Sequence, residues 1–190
     1  MRKDITGIIL CGGKSSRMQT NKALLKLDNR AVIEIILCVM KKVFDVVLIS
    51  TNECGDFSFL NTPIVKDIQI NRGPLSGIYS ALKESRNKKS FIITCDLPLI
   101  NQKLIEYIAS NKSEKEIIVP SINGTPQRLF GIYNKSVIEK IEEVFNLSVT
   151  DKSIKGSVYD LHQRVSVEQV EIAHLPFYSE NMFMNMNTPE

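Results

Sequence analysis

The sequence predicts an α/β fold, a mostly parallel sheet with helices on both faces. Two observations predict it. Short, apolar, β-branched runs alternate with segments of helical length, and the runs end on polar or glycine residues. A third sets the scale: 190 residues, 43% hydrophobic and 24% charged, suit one domain spanning residues 1–190 with a full core.

The elements follow in order. Residues 6–10 form a short apolar run, as in a strand covered on both faces. A long basic loop with Gly12 and Gly13 at its start follows. Residues 31–40 are mostly apolar, and their length favours a helix packed on a sheet. Residues 46–50 are a second buried strand ending at Thr51 and Asn52, and residues 62–66 a weaker third ending at Asp67. Residues 74–85 read as a helix with Leu75, Ile78, Tyr79 and Leu82 on one face and Pro74 in its first turn, where no N–H bond is lost. Residues 91–95 are a central strand, followed directly by Asp96, Leu97 and Pro98. Further on come a helix at 102–110, strands at 116–120 and 129–133, and a helix at 135–145. A strand at 170–173 and a short apolar segment at 182–184 close the chain.

In such sheets ligands bind beyond the carboxyl ends of the strands. The rule places the Gly12 loop, Asn52, Asp67 and Asp96 along one crevice. Adjacent glycines let a backbone take positive φ and approach an anion closely, and successive N–H groups can then cradle phosphate oxygens. Lys14, Arg17 and Lys22 add positive charge, so the loop is expected to hold a nucleoside triphosphate; the alternative is a plain turn with solvated lysines. It is neither GxxxxGK[ST] nor GxGxxG, which sets aside a generic kinase or a dinucleotide dehydrogenase. Asp96 is placed either to hold Mg²⁺, a hard cation that prefers oxygen ligands shared with phosphates, or to cap the helix that begins near Asn101. Gly73, Pro74, Leu75, Ser76 and Gly77 start a helix whose N–H groups either face a polar ligand or merely begin the helix. His162 and His174 have no triad pattern around them and read as surface or structural.

Composition excludes several classes. The 4 cysteines show no CxxC spacing, against structural zinc and a disulfide framework. The net charge of +3 suits a phosphate-bearing ligand and is too small for a nucleic-acid-coating protein. No apolar run approaches the roughly 18 to 20 residues that span a bilayer, so no membrane partner and a cytoplasmic location are expected. Four Asn-x-Ser/Thr matches, at Asn111, Asn123, Asn134 and Asn146, read as chance in an Asn-, Lys- and Ser-rich chain.

Taken together, Leu10 to Met18 with Lys22 to Leu25, Asp67, Gly73 to Ile78, Cys95 to Pro98, Pro126 to Tyr133 and Asn185 to Glu190 resemble the molybdenum cofactor guanylyltransferases, within the MobA-like nucleotidyltransferases. The motifs stand in the family's order and cover nearly the whole chain. The resemblance implies a three-layer α/β/α Rossmann-like fold with a mixed sheet, and Mg²⁺-dependent transfer of GMP from GTP to molybdopterin with release of pyrophosphate. By position it implies nucleotide binding at Leu10, Cys11, Gly12, Gly13, Lys22, Asn52, Asp67, Gly73 and Asp96. Arg17, Lys22 and Asp96 take catalytic roles, and Asp96 is the metal ligand. The second glycine implies guanine, since cytidylyl relatives usually carry alanine-glycine. The resemblance also implies transient contact with cofactor-delivery or acceptor proteins. Two departures stand out: Asn21 replaces the usual Asp before the lysine, and the chain ends at Glu190, where the family continues into a short final helix. Either the sequence is truncated there or the natural protein is short. The competing readings are a cytidylyltransferase or another family member with a different phosphate acceptor, and a non-catalytic nucleotide-binding module.

Overall fold

The structure, a computed structural model, describes residues 1–12, 22–27, 29–70 and 72–184, with the side chains of 22 and 54–56 outside that description. The strands in chain order are β1 (Ile5–Leu10), β2 (Lys26–Leu27), β3 (Arg30–Ala31), β4 (Val47–Ser50), β5 (Ile64–Val65), β6 (Lys89–Thr94), β7 (Ile117–Ile122), β8 (Thr125–Pro126), β9 (Gly131–Asn134) and β10 (Val167–Glu171). The helices are α1 (Val32–Val43), α2 (Pro74–Glu84), α3 (Gln102–Ala109), α4 (Ile138–Thr150) and α5 (Val158–His162).

One mixed sheet runs β10-β7-β9-β6-β1-β4-β5, with β8 paired to β7. β1 is central and parallel to both β4 and β6. β9 inserts antiparallel between β6 and β7, and this makes the sheet mixed rather than all parallel. The alternation of side chains along β1 explains the layers. Ile5 and Ile9 point into a core with Ile33, Ile36 and Met40 of α1 and Leu104 and Ile108 of α3. Ile8 and Leu10 point into a second core with Ile78 and Leu82 of α2 and Ile141 and Phe145 of α4. With both faces covered, the strand has to be apolar at successive positions, which is why it reads as a run and not as an alternation.

The differences from the expected boundaries have local causes. The strand expected at 129–133 starts at Gly131, because the Phe130 N–H turns back to the Gln127 carbonyl at 3.1 Å. The strand expected at 170–173 is β10, shifted toward the N-terminus. It pairs with β7 from Val167 onward and alternates half-buried and exposed residues, as an edge strand does. The helix expected at 135–145 starts as a 3-10 turn and extends to Thr150. The β7–β8 hairpin and α5 have no counterpart in the sequence reading. The hairpin turns on Asn123 (φ 50) and Gly124 (φ 77), the two positive-φ positions a tight two-residue turn demands. Glu171 clamps it from β10: its carboxylate accepts from the N–H of Asn123 and of Gly124 at 3.2 Å each and from Ser121 Oγ at 3.0 Å. Burial works against the charged carboxylate, yet these bonds and one from Ala173 hold its pKa down to about 2.

His162, expected to be surface or structural, is structural. It is buried, with Nε2 at 2.9 Å from the Tyr133 hydroxyl. That hydroxyl donates its one proton to the Arg128 carbonyl, so the imidazole donates through Nε2. Burial, with the Arg128 charge adding to it, lowers the His162 pKa from 6.5 to about 4. The unfolded chain therefore takes up a proton near pH 6.5 that the folded protein refuses until about pH 4, and stability falls as pH drops through that window. His162→Gln is expected to shrink the loss of denaturant midpoint between pH 7 and pH 5, measured by urea unfolding; an equal loss in both proteins would exclude His162 as the source.

Candidate active site

The carboxyl ends of β1, β4 and β5 and the start of α2 enclose a cleft of about 540 Å³. Of the residues read from the sequence, Leu10, Cys11, Gly12, Asn52, Asp67 and Gly73 line it. Gly13 and Arg17, with Lys14 and Asn21, lie outside the described residues, as does the side chain of Lys22. Asp96 is absent from the lining of this cleft and lines a neighbouring one instead, beyond the end of β6.

β1 delivers the glycine loop to the rim. The ladder continues one residue past the strand: Cys11 N–H donates to the Ser50 carbonyl at 2.8 Å, and Cys95 N–H donates to the Leu10 carbonyl at 3.1 Å. The N–H of Cys11 is therefore committed to the sheet. Its thiol is buried, and burial, followed by hydrogen bonding with Cys95 and the nearby charges of Cys95 and Asp96, pushes its pKa well up, leaving a neutral thiol. Gly12 corrects one expectation. Its φ is not positive; among the described glycines only Gly73, Gly124, Gly131 and Gly156 take positive φ. A Cβ on Gly12 would meet nothing within 4 Å among the described residues, and the role of Gly12 is not a left-handed turn.

On the opposite wall, Asn52 and Asp67 bind each other twice. Asn52 Nδ2 donates to Asp67 Oδ2 at 3.0 Å, and Asp67 N–H donates to Asn52 Oδ1 at 3.0 Å. The double contact ties the end of β4 to the chain leaving β5. Burial raises the Asp67 pKa, and the Asn52 hydrogen bond opposes that rise in part.

The start of α2 is set by Gly73, at φ 66 and ψ −163, a region essentially confined to glycine, with Pro74 at the first helical position. The Ser76 hydroxyl donates to the Gln69 carbonyl, and Ser80 Oγ accepts from Ile68 N–H at 2.8 Å. Ser76 is thus buried and holds the 68–69 loop, leaving Gly73 and Pro74 to face the cleft. The sequence reading did not place Gly77 or Ser50 on the cleft. A Cβ on Gly77 would stand 2.8 Å from Ser50 Oγ, so the glycine lets α2 lie close against β4. The signal was the second glycine of Gly73-Pro74-Leu75-Ser76-Gly77, one turn into a helix where glycine is otherwise unfavourable.

Asp96 follows β6. The capping alternative falls to another residue: Asn101 caps α3 itself, its Oδ1 accepting from Leu104 N–H at 2.9 Å. Asp96 Oδ1 is buried and has no hydrogen-bond partner among the described residues. A buried carboxylate oxygen without a donor is costly unless a ligand satisfies it. Such an oxygen suits a hard divalent cation. No group of three or more His, Cys, Asp or Glu among the described residues could hold a metal alone, so Asp96 would contribute one ligand to a shell completed by phosphate oxygens and water.

Comparison with known proteins decides the family. A model of the MobA-like NTP transferase domain matches residues 7–164. The chain belongs to the MobA-like NTP transferase family. A Carboxydothermus hydrogenoformans protein named "Probable molybdenum cofactor guanylyltransferase" is 33% identical over 98% of this chain and 92% of its own. A crystal structure of an Aquifex aeolicus protein superposes with a TM-score of 0.79 at 32% identity, covering 97% of this chain and 94% of that one. The molybdopterin-guanine dinucleotide biosynthesis protein A of Archaeoglobus fulgidus shares the fold, with a TM-score of 0.79 at 19% identity, covering 97% of this chain and 93% of that one. The expected three-layer fold with a mostly parallel mixed sheet is the fold of this MobA-like family member. No helix among its described residues is long and apolar enough to cross a membrane.

Proposed function

We propose that this MobA-like protein transfers GMP from GTP to molybdopterin and releases pyrophosphate, as a cytoplasmic, Mg²⁺-dependent enzyme acting through one domain over residues 1–190. The observation that carries the reading is the orphaned Asp96 carboxylate oxygen beside a cleft of nucleotide size. The names of relatives such as the Carboxydothermus protein support guanine and molybdopterin as the substrates.

The chemistry asks little covalent help of the protein; position and charge stabilisation dominate. An oxygen of the acceptor phosphate forms a bond to the α-phosphorus of GTP, the bond from that phosphorus to the bridging oxygen breaks, and its electron pair leaves with pyrophosphate. The attacking phosphate is already ionised near neutral pH, so no general base is required. Leu10, Cys11, Gly12, Gly13, Asn52, Asp67 and Gly73 form the nucleotide side, with Asn52 and Asp67 facing the base or ribose. Arg17 and Lys22 offset charge on the phosphates. Asp96 would hold the magnesium ion, which when bound would supply positive charge beside the phosphate oxygens.

The test is pyrophosphate release with molybdopterin, Mg²⁺ and each of GTP, CTP, ATP and UTP. GTP alone is expected to support turnover; a preference for CTP would move the chain to the cytidylyl relatives, and no release with any nucleotide would favour a binding module. Asn52→Ala is expected to raise KM for GTP about tenfold with kcat little changed, because the pair binds ground state and transition state alike. A fall in kcat at constant KM would place Asn52 in the chemistry instead.

A further inference from the structure

A second cleft, of about 300 Å³, opens on the β6–β9 side of the sheet, next to the nucleotide cleft. Thr94, Asp96, Gln127 and Arg128 supply its polar wall, and Phe130 and Phe183 part of its apolar wall. Asp96 belongs to this lining and directly follows Cys95, whose N–H donates to the carbonyl of Leu10 in the first cleft at 3.1 Å, so Asp96 lies at the border of the two.

Arg128 is the unexplained group here. Its Nε is buried with no hydrogen-bond partner among the described residues. Its guanidinium carbon sits 5.2 Å from the centre of the Tyr159 ring, and its charge is felt by His162 and Tyr133, neither of which can neutralise it. Among the described residues no carboxylate lies within ion-pair distance of it. The segment that carries it is held firmly, by the Tyr133 hydroxyl on the Arg128 carbonyl and by the bond from Gln127 N–H to the Pro120 carbonyl at 2.8 Å. A half-buried cation fixed without a counter-ion is costly unless a ligand supplies the negative charge. The planar guanidinium fork matches phosphate in particular.

We infer that Arg128 binds the phosphate of the acceptor in this second cleft. The inference rests on the transferase reading above and gives that reaction its second substrate site. In-line displacement requires the entering and leaving oxygens on opposite sides of the phosphorus. With the nucleotide in the first cleft and its α-phosphate at Asp96, the second cleft gives the acceptor its own approach. Half-buried Phe183, held edge-to-face at 5.3 Å on the buried Phe130 ring, offers an apolar contact to the rest of the acceptor.

The test uses Arg128→Ala and Arg128→Lys in two assays, after circular dichroism and thermal melting of each variant. In steady-state pyrophosphate release, Arg128→Ala is expected to raise KM for molybdopterin at least about tenfold, the worth of a hydrogen-bonded charge, while KM for GTP stays within about twofold. Arg128→Lys should fall between, because it keeps the charge and loses the fork. An unchanged KM for molybdopterin overturns the inference. So does an equal rise in KM for GTP, which would assign Arg128 to the triphosphate. In the second assay phenyl phosphate is titrated calorimetrically without nucleotide, and its affinity should fall about tenfold in Arg128→Ala. Equal affinity in the variant, or no binding by the wild-type protein, overturns the inference. If the wild-type protein releases no pyrophosphate from GTP and molybdopterin, the transferase reading fails, and the phenyl phosphate titration still decides Arg128. Should Arg128→Ala not fold, Arg128→Lys carries both assays, with a weaker loss expected and no loss at all overturning the inference.

Discussion

Asp96→Asn is expected to lower the rate of GMP transfer by about 10²- to 10³-fold while the melting temperature stays level or rises. The two effects have one cause. Asp96 Oδ1 is buried and meets no donor among the described residues, which leave this carboxylate oxygen uncompensated. Exchanging it for an amide removes the charge without emptying space, and little that holds the fold together is lost. The same exchange removes the anionic ligand that the proposed magnesium site depends on. Pyrophosphate release at saturating GTP and Mg²⁺, with differential scanning calorimetry on the same preparations, reads both quantities. A variant that melts lower yet transfers GMP normally would make Asp96 a structural residue.

Gly131→Ala has the largest expected effect on stability. Gly131 opens β9 at φ 147, where side chains are strained, and an added Cβ would stand 2.2 Å from the backbone carbonyl oxygen of Ile118 and 3.0 Å from Val119 Cα. Both neighbours belong to β7, paired antiparallel with β9, so relief requires parting two central strands. The loss is expected to reach about 4 kcal/mol or more, in the tail reserved for overpacked cores. Urea unfolding followed by circular dichroism measures it; a loss below about 1 kcal/mol would mean that β9 can shift to make room. Gly12 offers the contrast. With no described residue near its Cβ position, Gly12→Ala should be tolerated by the fold and felt by the ligand.

These glycines mark where the sequence was legible and where it was not. The glycine-led loop, Asp67, Asp96 and the Gly73-Pro74 helix start stood out because each punctuates a buried strand or opens a helix, and such signals are local. Gly131 did not stand out, since its necessity comes from Ile118, a residue 13 positions earlier brought opposite by strand pairing. The β7–β8 hairpin was overlooked although Asn123-Gly124 is a strong turn signal: β8 is two residues long, too short to show alternation. Five-residue α5 spans little more than one turn, and periodicity has nothing to repeat in it.

By itself the sequence determined the alternation of elements, the apolar strands of a sheet covered on both faces, the residues that close those strands, and through its ordered motifs the MobA-like family. All of these are written in neighbouring residues, because strand burial, helix starts and turns are set by local pattern. Tertiary structure alone decided the rest. It paired Asn52 with Asp67, gave the capping of α3 to Asn101, and left Asp96 Oδ1 and Arg128 Nε on the second cleft without partners among the described residues. Whether a polar atom finds a partner depends on which strands lie side by side, and here the antiparallel insertion of β9 between β6 and β7 brings the Arg128 segment to the end of β6.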